Sequence, residues 1–111
     1  MPHYMVQGNY TGEAIRNLIA KPEDRSEAAG KLAKSVGGKL REFYMSFGKH
    51  DFVMIVDLPD DEAAATLSFA AAAAGHLHNL HTTKLLTPGE ATKAMARAGS
   101  GKPLLKAPKG K

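Results

Sequence analysis

The heptapeptide "FVMIVDL", residues 52–58, constrains the fold of this chain more than any other stretch. Phe52, Met54 and Val56 fall on one face of an extended strand and Val53 and Ile55 on the other, with Asp57 at the edge. A strand that is apolar on both faces belongs in the interior of a sheet, covered above and below. Pro59 ends it, because proline supplies no amide for the ladder. The preceding residues, 39–47, alternate as a strand with Arg41, Phe43, Met45 and Phe47 facing one way and Leu40, Glu42, Tyr44 and Ser46 the other. The intervening "GKHD" is short enough to join the two as a hairpin.

Helical patterns flank this hairpin. Residues 3–9 have strand composition, with Tyr4 and Val6 on one face and Met5 and Gln7 on the other. Thr11 can cap a helix carrying Ala14, Ile15, Leu18 and Ile19, which Pro22 interrupts. A second helical segment restarts with Pro22, Glu23 and Asp24 in its first turn, where negative charge suits the dipole. Its apolar positions are Ala28, Ala29, Leu32, Ala33 and Val36, and it stops at Gly37-Gly38. After Pro59, Asp60 can cap a helix with a stripe of Ala63, Leu67, Ala70, Ala71 and Ala74, a stripe suited to close approach to the sheet. Residues 79–86 read as a fourth strand. "TPGE", residues 87–90, has the form of a capping box for a last helix with Ala91, Ala94, Met95 and Ala98 on one side.

The order β-α-β-β-α-β plus a C-terminal helix is the ferredoxin-like, split-βαβ pattern of the α+β class, in which the first and third strands are central. Its helices cover one sheet face only. Neither the last helix nor the polar tail is large enough to cover the other, so a second copy is expected there, giving a homodimer with sheets packed face to face and leaving a higher oligomer open.

The chain has 111 residues, 43% of them hydrophobic, which fits one folded domain, expected over residues 1–98. Four of the 15 basic residues, Lys102, Lys106, Lys109 and Lys111, follow Gly99 with no acidic residue among them. The remaining 11 match the 11 acidic residues, so the body is formally neutral and nucleic acid is not an expected partner. Residues 99–111 read as a basic, flexible, solvated tail. The absence of cysteine excludes disulfides, thiolate metal sites and a cysteine nucleophile. No signal peptide or membrane span is evident, and a cytoplasmic location is expected.

The candidate chemistry is sparse. His50 beside Asp51 has the composition of an oriented base, but neighbours on a strand point to opposite faces, and Asp51 equally suits a turn in which it accepts backbone amides. "GHLHNLH" offers His76, His78 and His81. Only two of them share a strand face, and no zinc spacing is present, so His76 and His78 are weak metal candidates and no metal is expected. Asn9, Tyr10, Tyr44, His50 and Asp51 are the candidates for ligand contact, in a pocket between sheet and helices or at a dimer interface. No phosphate loop or nucleophile elbow occurs, and no motif requires a cofactor.

Together "YMVQGNYTGEAIRNL" and "VGGKLREFYMSFGKHDFVMIVDLPDDEAAATL" resemble the GYD domain, a small bacterial family within the dimeric α/β-barrel superfamily. Gly48 and Asp51 match the residues that name the family, whereas His50 stands at its tyrosine. The resemblance implies a ferredoxin-like sandwich pairing into a barrel. It implies no settled activity, since the superfamily mixes cofactor-independent monooxygenases, haem-handling enzymes, isomerases and plain binding modules. Two expectations therefore stand: a dimeric module that binds a small molecule or protein partner without catalysis, or a cofactor-free monooxygenase or isomerase with a pocket near His50. Whether the chain is an enzyme is open at this point.

Overall fold

The computed structural model describes residues 1–100 and 107–108, so most of the expected basic tail lies outside the described residues. The elements are β1 (His3–Tyr10), α1 (Gly12–Ala20), α2 (Ser26–Ser35), β2 (Lys39–Met45), β3 (Phe52–Asp57), α3 (Asp61–Ala73), β4 (Leu77–Leu85) and α4 (Pro88–Gly99). The strands form one antiparallel sheet in the order β2-β3-β1-β4, with β1 and β3 central. This is the expected ferredoxin-like α+β arrangement.

Alternation along β1 buries Tyr4, Val6, Gly8 and Tyr10 on the helix side, and β3 adds Phe52, Met54 and Val56. Against this face α1 sets Ala14, Ile15 and Leu18, α2 sets Ala29, Leu32 and Ala33, and α3 sets Ala64 and Leu67. Val56, Leu58 and Leu67 are completely enclosed. Each such side chain contributes about 1.5–3 kcal/mol by leaving water.

The helix ends follow the expected capping. Thr11 accepts the Ala14 amide, Asp60 accepts the Ala63 amide, and Thr87 with Glu90 closes a reciprocal box. The C-terminal end of α2 depends on two glycines. Gly37 lies at φ +81°, left-handed backbone that favours glycine. At Gly38 a Cβ would stand 2.4 Å from the Asp57 carbonyl and 2.5 Å from a Leu58 methyl, so the chain there passes directly against the end of β3.

Four expectations are corrected in detail. Pro22, Glu23 and Asp24 do not form the first turn of α2. They lie in the break before it, where Asp24 accepts the Ser26 amide at 2.9 Å and its hydroxyl at 2.6 Å. β2 ends at Met45, and a six-residue corner, residues 46–51, leaves Phe47 100% exposed. Strict alternation in β2 is broken by a bulge at Arg41, which lets both Leu40 and Phe43 pack on the helix side. β4 begins at Leu77, and Asn79 takes a left-handed φ of 54° where the pairing with β1 shifts register.

The sheet face away from the core carries His3, Met5, Gln7 and Asn9 of β1, Val53 and Ile55 of β3, Tyr44 of β2 and His81 of β4. α4 packs closely on no other element among the described residues, and its Met95 is exposed. No helix among the described residues is long and apolar enough to cross a membrane.

Candidate functional site

The hairpin corner is tied to β1 rather than left as a free loop. Asp51 donates its amide to the Gly8 carbonyl at 2.8 Å, and its carboxylate accepts the Tyr10 amide at 2.9 Å. Ser46 closes the corner from the other side, its amide donating to the Asp51 carbonyl and its hydroxyl to the His50 carbonyl. Asn9 reaches across to the Lys49 carbonyl, and Asn79 donates to the Asn9 side chain at 3.0 Å. The bulge in β1–β4 pairing thus meets the corner of β2–β3 in a polar network. His50 packs its ring edge against His81, centroids 5.2 Å apart, and its Nε2 is buried without a hydrogen-bond partner among the described residues. The Asp51 carboxylate is directed to Tyr10, not to the His50 ring.

The sequence-derived candidates therefore separate. Asn9, His50 and Asp51 meet at the corner. Tyr44 lies on the open sheet face, exposed, donating to Glu42 at 3.0 Å. Tyr10 turns inward to the helix side, stacking at a tilt on Phe52 with centroids 5.5 Å apart. His76 precedes β4, where its carbonyl accepts the Thr11 amide, and His78 is exposed. Among the described residues no group of three or more acidic or histidine side chains could hold a metal ion.

Of the five ligand candidates, Tyr10 alone lines any of the four main cavities among the described residues. A cleft of about 220 Å³ opens between α2, α3 and the sheet. Its floor is Val6, Tyr10, Phe43, Phe52 and Met54, and its helix walls carry Ala28, Ala29, Ala70, Ala71 and Ala74. The alanine stripe of α3 was expected to bring helix and sheet together. Ala64, Leu67 and Ala71 are buried, but Ala70 and Ala74 face the space beside α2 and are too short to fill it.

A second chamber of about 310 Å³ adjoins the first, and Tyr10, Arg25 and His76 line both. The outer chamber adds Asn17, Leu18, Lys21 and Glu23 from the end of α1 and the break after it. Arg25 directs a guanidinium N–H to Glu23, which raises its already high pKa further. Burial pushes the Tyr10 hydroxyl up, and the nearby Arg25 charge opposes that shift. The arrangement is an apolar slot with a polar, cation-bearing mouth, a form suited to a small ligand with one polar end. Arg25 and Lys21 were not singled out in the sequence. Their only signal there is position: both fall in the broken crossover, Lys21 beside Pro22 and Arg25 three residues after it.

Comparison with known proteins supports the architecture. No curated protein matches the chain in sequence. Among solved structures the chain is similar to MtbAldR, with a TM-score of 0.53 and 18% identity over 78% of this chain and 52% of that one. It is also similar to TTHA0845 from Thermus thermophilus, with a TM-score of 0.52 and 18% identity over 78% of this chain and 95% of that one. The chain thus spans about half the length of MtbAldR, and at this identity the likeness is one of fold. The family model of the GYD domain matches residues 4–95, and the chain belongs to the GYD domain family.

Proposed function

We propose that the protein is a cytoplasmic homodimeric module that binds a small molecule, without catalysis, in the cleft between α2, α3 and the sheet. The observation that carries this reading is the cleft itself. Aromatic and aliphatic side chains floor it, alanines keep it open, and polar groups gather at one end only. Burying an apolar ligand there contributes about 25 cal/mol for each Å² of apolar surface removed from water, which favours binding in a preformed slot. Tyr10 is the ligand contact retained from the sequence candidates. Asn9 and Asp51 serve the corner, and Tyr44 serves the open face.

That open face supports the dimer. Met5, Val53 and Ile55 form an apolar centre on it, and no helix among the described residues packs across. A second copy would bury this centre by twofold pairing, with Tyr44 and the His3–Asp57 pair toward the rim.

Neutral indole tests the cleft independently of charge. The wild type is expected to gain thermal stability with indole and Ala70→Leu to gain none, because the leucine occupies the slot. Equal responses of the two proteins, or no response of either, would remove the reading. Catalysis at His50, as in a cofactor-independent monooxygenase or isomerase, has one feature in its favour, the buried and unpartnered Nε2. A base must reach a bound substrate, and His50 lines none of the four cavities.

A further inference from the structure

We infer that the cleft selects an apolar monocarboxylate, of the size of octanoate, with its chain in the inner chamber and its carboxylate on Arg25. This rests on the reading of the cleft as a ligand site and adds the chemistry of the ligand. Size comes from the inner chamber. At the roughly 30 Å³ that one small group occupies in a liquid, about 220 Å³ holds a body of some seven carbon atoms. Nothing in the floor or the alanine walls offers that body a hydrogen bond, apart from the Tyr10 hydroxyl at the mouth.

Charge comes from the outer chamber. Lys21 and Arg25 face one carboxylate, Glu23, so the lining carries a net positive charge before His76 is counted. An amine would meet two cations there. A dianion would meet Glu23 at close range. Arg25 commits one N–H to Glu23, while a guanidinium has five to give, so donors remain for a bidentate carboxylate pair. The Tyr10 hydroxyl lies beside the Arg25 guanidinium, whose charge opposes the upward push of burial, and touches the Met45 sulfur at 3.8 Å, so it stands where it can join the head group together with Arg25. Arg25 stands immediately before α2 with its guanidinium paired to Glu23, so one donor of the mouth is partly ordered before the ligand arrives, which lowers the ordering cost of binding.

The test is calorimetric titration of the full chain at pH 8 with octanoate and with 1-octanol, which has the same body and no charge. Wild type is expected to bind octanoate about 10-fold more tightly than octanol or better, the range for hydrogen bonds to a charged group. Arg25→Gln is expected to abolish that preference by weakening octanoate about 10-fold more than it weakens octanol, and Arg25→Lys to keep part of it. Circular dichroism of both variants establishes that they fold. Octanol binding as tightly as octanoate, or Arg25→Gln weakening both ligands equally, would overturn the carboxylate assignment while leaving the cleft as a ligand site. Failure of octanoate, octanol and indole alike would overturn the cleft reading and the assignment with it.

Discussion

The Asp51 carboxylate accepts the Tyr10 amide at 2.9 Å, and so the corner of one hairpin sets the end of the neighbouring strand. Tyr10 then projects the other way, its ring on Phe52 and its hydroxyl at the mouth of the cleft. A residue of the hairpin corner and a residue of the proposed ligand site are thus one hydrogen bond apart. In that proposal Asp51 acts through the backbone position of Tyr10, with no contact to a ligand required.

Exchanges at this corner should separate its two neighbours. Asp51→Ala leaves the Tyr10 amide without its acceptor and is expected to cost about 1–3 kcal/mol in urea denaturation, the range for a lost partner of a part-buried donor. His50→Tyr installs the tyrosine that the family resemblance implies and is expected to leave stability and octanoate binding nearly unchanged, since the ring contacts His81 and lines none of the four cavities. Loss of octanoate binding in His50→Tyr with the fold intact would argue for a direct role of the imidazole.

The turn after α2 yields a sharper stability prediction. Gly38→Ala drives a methyl group onto the Asp57 carbonyl and Leu58, and backbone cannot give way as a flexible side chain does. Overpacking of this kind costs about 1–3 kcal/mol. Gly37→Ala meets only the left-handed backbone penalty of about 1–2 kcal/mol. Denaturant midpoints that placed Gly38→Ala at the wild-type value would contradict the close approach.

A pH dependence follows from the start of α3. The Tyr4 hydroxyl donates to Asp61 at 2.6 Å, and Lys84 donates to the same carboxylate oxygen at 3.1 Å. The hydrogen bond to Asp61, followed by burial, pushes the Tyr4 hydroxyl up to about 12. A folded value above the unfolded one of about 10 means that this stabilisation is complete below pH 10 and lost as pH rises toward 12. The same contact, helped by Lys84, lowers the Asp61 pKa, so that its contribution is present above the usual carboxylate range and lost as acid protonates it. Tyr4→Phe should flatten the melting temperature between pH 10 and 12 relative to wild type. Parallel curves for the two proteins would remove the assignment.

The dimer can be tested at the centre of the open face. Light scattering of the wild type at micromolar concentration is expected to give twice the chain mass, and Ile55→Lys to give the single chain mass with unchanged circular dichroism. Burying an unpaired ammonium in a face-to-face contact is costly enough to separate the copies. A monomeric wild type would refute the pairing.

Much of the fold was legible because strands and helices write periodicity into the chain. The two-sided apolar run at residues 52–58 identified a central strand, and Thr11, Asp60 and Thr87 marked helix starts that the caps occupy. Bulges were not legible. An extra residue at Arg41 or a shifted pairing at Asn79 changes which neighbours share a face while leaving composition untouched. Asp24 was ambiguous for a related reason, since an acidic residue suits a helix's first turn and the turn before it equally well. The cleft was hidden because alanine specifies small volume, and whether small volume means contact or space depends on how far α2 stands from α3. Arg25 and Lys21 acquire meaning only when the broken crossover folds them over Tyr10.

The most direct test of the ligand site uses the methionine methyl groups as reporters in a carbon-13 NMR titration with octanoate. Met54 lines the inner chamber, Met5 lies on the opposite sheet face and Met95 on α4. The Met54 resonance is expected to shift in a saturable manner while Met5 and Met95 stay in place, and Ala70→Leu should abolish the shift. Saturable movement of Met5 with Met54 unmoved would put the ligand on the open sheet face and contradict the account.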